Sequence, residues 1–135
     1  GGPVLVLPRA GLATAIGSRV VVAWNGSREA ARAAKDALPL LVSAEEVTLL
    51  AAGDDASATL DAGTNLLKRH GAKVTARQIE LGRHHGTTLL DAAAAENADL
   101  LVMGAYGHSR LREIVLGGAT REVLGGARLA VLLSC

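Results

Sequence analysis

The chain has 135 residues, with 14 basic and 13 acidic side chains and a net charge of +1 at pH 7. That length suits one domain with a real core, and the near balance of charge leaves no footprint for nucleic acid or an anionic membrane surface. Half of the residues are apolar, yet the only aromatic ones are Trp24 and Tyr106, so the core has to be built from Ala, Val and Leu, packed as helices on a sheet. Cys135 is the single cysteine; it allows no disulfide framework or cysteine zinc site within one chain and fits a reducing cytoplasm. No apolar run approaches the ~18 residues of a membrane helix. Gly1–Leu7 lacks the basic leader and cleavage pattern of a signal peptide.

The first element is out of step with the rest of the chain. GGPVLVLP carries an apolar strand, Val4–Leu7, ahead of a linker over Arg9–Ser18. It is loosely similar to the last apolar run, RLAVLLS, and both follow a Gly-Gly pair. A strand handed on from a preceding, similar domain fits, and so does an ordinary extra edge strand or a tag remnant. The expected organisation is therefore residues 1–18 as extra strand and linker, and residues 19–135 as the domain proper.

From there strands and helices alternate. The strands are expected at Val20–Trp24, Val47–Ala51, Val74–Leu81, Leu100–Met103 and Leu129–Leu133. Ser27 can cap a helix running to about Val42, with Ala30, Ala33, Ala34, Ala37, Leu38 and Leu41 on one stripe. Ser57–His70 repeats the pattern through Leu60, Gly63 and Leu67, and Gly71 stops it. Thr87–Asn97 is a third helix, with Leu89, Leu90, Ala93 and Ala94 inward, and Ala119–Leu124 a short fourth, ended by Gly125 and Gly126. Strand then helix, repeated, predicts an α/β sandwich on a mainly parallel sheet. Continuous apolar strands predict burial on both faces. Val74–Leu81 alternates more and carries Arg77 and Glu80, which places it at an edge.

The segment GAYGHSRLREIVLGGAT, residues 104–120, raises the functional question. Gly104 and Gly107 follow a buried strand, and Gly117 and Gly118 precede a helix. Helix N-termini bind anions through free N–H groups, glycines let the backbone approach them, and open α/β sheets bind ligands beyond the carboxyl ends of their strands. The two glycine groups can thus form an anion cradle, with hydroxyls from Ser109 and Thr120. Equally, they can simply shape a turn and start a helix. Neither G-x-x-x-x-G-K-[ST] nor G-x-G-x-x-G is present.

Here the residues resemble a known family. Gly104, Gly107 and Gly117 match the G-x2-G-x9-G-[S/T] motif of the universal stress proteins. RVVVAWNGSREAARAAKDALPLL is similar to that family's first strand and helix, and ENADLLVMGAYGHSRLREIVLGGATREVL to its most characteristic stretch. The resemblance runs from Arg19 to Ser134. It implies a five-stranded parallel sheet in the order 3-2-1-4-5, flanked by helices, and pairing in dimers or tandem repeats through the final strand. The first strand then looks like the end of a preceding repeat, able to pair near Ala130–Leu133. The resemblance further implies ATP or a related adenine nucleotide. Met103, Gly104, Gly107, His108 and Ser109 would line one side of it. Gly117, Gly118, Ala119 and Thr120 would close the other, with Ala23 and Asn25 near ribose and phosphate and Ala51 near adenine. Two positions depart from the motif. The family's usual Asp after the first strand is Asn25, which lacks the charge a hard cation such as Mg²⁺ prefers. The residue after the third glycine is Gly118, which keeps an N–H but has no hydroxyl.

Other candidates carry less. Adjacent His84 and His85 would face opposite sides of a strand, which is poor for chelation, and suit a solvated turn. His70 suits the last turn of a helix. Trp24 can cap the core or stack on a base, and Tyr106 can cover a ligand or shield its loop. Asp54 and Asp55 suit a solvated turn or cap. His108 beside Ser109 is the nearest base and nucleophile, without a G-x-S-x-G elbow. A receiver domain would need acidic residues where Asn25, Gly26, Gly82 and Arg83 stand. What the resemblance implies is a bacterial stress-response module that binds an adenine nucleotide and reports it through dimer or partner contacts, and not an enzyme, slow ATP hydrolysis being the less favoured reading. The alternative is an interaction protein of the same fold with a vestigial site.

Overall fold

A computed structural model of the protein describes residues 2–11, 15–53, 56–105 and 118–134. Along them run β1 (Val4–Val6), β2 (Arg19–Ala23), α1 (Arg28–Asp36), α2 (Leu38–Ser43), β3 (Glu46–Ala52), α3 (Ala56–Arg69), β4 (Val74–Ile79), α4 (His85–Ala95), β5 (Leu100–Gly104), α5 (Gly118–Gly126) and β6 (Ala130–Ser134). The described strands form one sheet in the order β1-β6-β5-β2-β3-β4. All neighbours from β6 to β4 are parallel. Counted from β2, this is the expected order 3-2-1-4-5. The extra strand pairs with β6 where expected, but antiparallel, with Val4 opposite Leu133 and Val6 opposite Val131.

Alternation along each strand sorts the core into two layers. Val20, Val22, Trp24, Leu49 and Val102 face the side covered by α1, α2 and α3. Val21, Leu50, Leu101, Met103 and Val131 face α4 and α5. The apolar runs are continuous because both faces are buried. β4 is the exception: it lies at the sheet's far edge, and residues 75–78 are exposed.

Ser27 caps α1, its Oγ accepting the Ala30 N–H at 3.1 Å. The expected single helix from Ser27 to Val42 is instead two, because α1 ends at Asp36 and Pro39 sits in the first turn of α2. Proline has no N–H for the carbonyl four residues back and its ring crowds that carbonyl; in a first turn the N–H is not missed. In α4 the buried stripe passes through Gly86 and Ala93, with Leu89 and Leu90 half-buried between them. That spacing turns Ala94 outward, where it is exposed and not inward as expected. The same helix starts before Thr87, and α5 takes in Gly125 and Gly126 instead of ending at Leu124.

At the amino ends of the strands, Asp99 anchors the linker. Its Oδ1 accepts the Gly17 N–H at 2.6 Å, and its Oδ2 accepts those of Ser18 and Arg19 at 3.0 Å. At the other end Trp24 caps the core, 8% exposed. Its Nε1 donates to the Thr59 carbonyl at 2.9 Å. Its ring lies over α3, so that a Cβ added at Gly63 would stand 2.7 Å from Cε2. In an exposed helix interior, Gly→Ala stabilises by about 1 kcal/mol. Here the sign reverses: Gly63→Ala is expected to lower stability by about 1–3 kcal/mol through overpacking, read as an earlier denaturant midpoint.

Candidate functional site

Three parallel neighbours, β5, β2 and β3, end side by side, with Val22 paired to Val102 and Ala23 to Leu50. From β2 the chain proceeds outward to β3 and β4; β5 and β6 lie on the opposite side of β2. The carboxyl ends of β2 and β5 therefore flank the reversal of strand order, where open α/β sheets leave a crevice for ligands.

The loop leaving β2 is tightly built. The Trp24 N–H reaches back to the Leu50 carbonyl at 2.7 Å. Asn25 Oδ1 accepts the Ser27 N–H at 2.9 Å, and Gly26 between them has φ +75°, a conformation that favours glycine. This turn delivers the chain to the start of α1, whose positive dipole end thus lies beside the strand ends.

Gly104 ends β5 directly beneath that turn. A Cβ there would stand 2.7 Å from the Glu29 carbonyl carbon and 2.9 Å from the Ala30 nitrogen. The glycine is what lets α1 lie on the end of β5. Beyond it, the Ala105 N–H donates to the Ser134 carbonyl at 2.8 Å, keeping β5 aligned with β6.

The far wall is α5, which begins at the exposed Gly118. Its position is fixed through α4. Glu122 Oε1 accepts the Gly86 N–H at 2.7 Å and the Thr87 N–H at 3.4 Å, and Oε2 lies 3.0 Å from His84 Nδ1. One side chain of α5 thereby accepts two of the free N–H groups at the start of α4. Burial pushes the Glu122 carboxyl up, but the hydrogen bonds from Gly86, His84 and Thr87 outweigh it and hold it below the ordinary carboxylate value. Gly86 is required for the crossing, since a Cβ there would stand 2.5 Å from the Ala119 carbonyl oxygen.

The expected site residues divide into three groups. Ala23, Asn25, Ala51, Met103 and Gly104 stand at or next to the carboxyl ends of β2, β3 and β5. Met103 is 5% and Ala51 4% exposed, so both are core residues as well. Gly118, Ala119 and Thr120 open α5, with Thr120 buried at 3% exposure. Gly107, His108, Ser109 and Gly117 lie outside the described residues, as do Tyr106, Asp54 and Asp55. His84 and His85 stand at the start of α4, where His84 pairs with Glu122. The Glu122–Gly86 contact had no sequence signal, because its partners are 36 positions apart. Among the described residues no helix is long and apolar enough to cross a membrane.

The model of the universal stress protein family matches residues 18–134. A universal stress protein of Synechocystis sp. is 36% identical over 89 residues, covering 64% of this chain. The chain spans only 30% of that relative's length. A universal stress protein from Archaeoglobus fulgidus has a similar solved structure, with TM-score 0.77 and 21% identity over 98% of this chain and 49% of its own. A universal stress protein solved in complex with cAMP matches with TM-score 0.73 and 25% identity, over 88% of this chain and 97% of its own.

Two outcomes are expected from the geometry. Gly104→Ala should destabilise the fold by about 1–3 kcal/mol, because its new Cβ meets backbone and not a flexible side chain; equilibrium denaturation measures it. For Glu122, a lowered carboxyl in the folded state gives stability that is present above the ordinary carboxylate value and lost as pH falls through the lowered one. Wild type should therefore melt above Glu122→Gln at about pH 7 and converge with it in acid, as thermal scans across pH would show.

Proposed function

The chain belongs to the universal stress protein family, and from that premise we propose that it is a binding module for an adenine nucleotide. The nucleotide would lie across the carboxyl ends of β2, β3 and β5, facing the start of α5. The observation that carries this is the placement of the glycines. Gly104 at the end of β5 and Gly118 at the start of α5 border the reversal of strand order. Both belong to the stretch that resembles the family's phosphate motif. The similar protein solved with cAMP supports an adenine ligand.

In this reading Asn25 and Ala23 border ribose and phosphate, and Ala51 borders adenine. Gly107, His108, Ser109 and Gly117 complete the cradle, with Met103, Ala119 and Thr120 as its packed backing. ATP is the first form to test. The module acts in the cytoplasm by binding and signalling and not by turnover, in a bacterial stress response. We read residues 1–18 as the extra strand and linker of a tandem arrangement and residues 19–135 as the domain. Pairing of β1 with the outer edge of β6 and its likeness to that strand support the tandem over a simple homodimer through the same edge.

The test is calorimetric titration of ATP, AMP and cAMP into the chain and into Gly118→Val. An added Cβ at Gly118 meets nothing within 4 Å, so this exposed change should alter stability by no more than about 0.5 kcal/mol. Its branched side chain would nevertheless stand at the helix start that a phosphate must approach. Saturable binding in the wild type, weakened at least about tenfold in the variant, is expected. No heat with any of the three, and no nucleotide carried through purification, would leave the interaction-protein reading in its place.

A further inference from the structure

The family resemblance implies a divalent cation beside the phosphates, and Asn25 stands where its usual acidic residue would be. The structure fixes how the Asn25 amide is turned. The atom 2.9 Å from the Ser27 backbone nitrogen must be the carbonyl oxygen, because that N–H can only donate. The opposite end of the amide is therefore the NH2 group, which has two donors and no acceptor. It makes no hydrogen bond to a described residue, and Asn25 is exposed at the end of β2. An amide nitrogen does not ligate Mg²⁺. The oxygen that could is neutral, already accepts one hydrogen bond, and sits at the positive end of α1. The NH2 end that Asn25 leaves unpaired does not fit the metal, and its oxygen is a poorer ligand than the carboxylate it replaces.

We propose that the nucleotide is held here without a divalent cation. The Asn25 NH2 group donates directly to a phosphate or ribose oxygen, so the loop after β2 selects free nucleotide over its Mg²⁺ complex. The inference rests on the nucleotide reading above and adds what that site recognises. An Asp at the same position would keep the turn, since one carboxylate oxygen can still accept the Ser27 N–H. Its other oxygen would present an acceptor and a charge where Asn25 presents donors.

The experiment is calorimetric titration of ATP into the full chain and into Asn25→Asp, each in EDTA and in excess Mg²⁺, with thermal unfolding as the check on folding. Wild type should bind ATP in EDTA at least as tightly as in Mg²⁺. Asn25→Asp should bind at least about tenfold more weakly in EDTA and regain affinity with Mg²⁺. Wild-type binding that strengthens tenfold with Mg²⁺ overturns the inference. So does an Asn25→Asp variant that matches wild type in both buffers. Absence of heat from both proteins in both buffers is a different result: it removes the nucleotide reading itself.

Discussion

Close approach of backbone to backbone is the constraint on which this molecule depends. With no Phe and a single Trp, the layers between helices and sheet are thin. The face that α1 turns to the sheet is Ala30, Ala33 and Ala34. Where helices come nearest, even a methyl group is too much: Gly63 under Trp24, Gly86 under Ala119, and Gly104 under the first turn of α1 each leave less than 3 Å for a Cβ. Each small contact gains little dispersion energy, but the many together fix the helices at short range. The same shortness brings the start of α1 onto the end of β5, so a packing rule becomes a functional one. The positive end of a helix is carried to the place where strand order reverses.

Polar groups then lock this packing at the two ends of the sheet. At the amino ends, one carboxylate, Asp99, gathers three successive N–H groups where the linker enters β2. Those donors would otherwise be left to water beside a buried strand. At the carboxyl ends, Glu122 does the equivalent for α4, reaching from the neighbouring helix. In both cases a charged acceptor and backbone donors far apart in sequence satisfy one another. The second case matters for the site, because it sets where α5 begins.

Much of this was legible beforehand, for physical reasons that can be named. A strand buried on both faces writes a continuous apolar run, so Val20–Val22 and Leu100–Met103 declared themselves, and Arg77 in β4 with Glu80 just beyond it marked an edge. Helical stripes at Ala30–Ala37 and Leu60–Leu67 were equally plain. Pro39 marks the break in the first helix, but the apolar stripe runs through it without interruption and hides it. Gly104 was legible as a motif residue, but its packing against Glu29 was not, because two elements 75 positions apart in sequence create it. The direction of the Asn25 amide was also out of reach. It depends on one backbone N–H two residues later, which only the folded turn brings to 2.9 Å.

The edges of the sheet show how the extra strand bears on assembly. Without β1, the outer edge would be β6, whose residues Ala130–Ser134 are all buried. An unpaired, apolar edge of that kind invites another chain. β1 takes up its hydrogen bonds and leaves Val4 at 57% and Leu5 at 45% exposure in its place. The new edge is only three residues long and is bracketed by Pro3 and Pro8. Proline offers no N–H to a further strand, and short, proline-flanked edges are poor templates for continued pairing. The other edge, β4, is blunted differently, by Arg77 and its neighbours. A second copy joining through the final strand would therefore have to displace β1. The joint that the fold itself provides at β6 is already made, in the same chain, by a strand whose sequence is like its own.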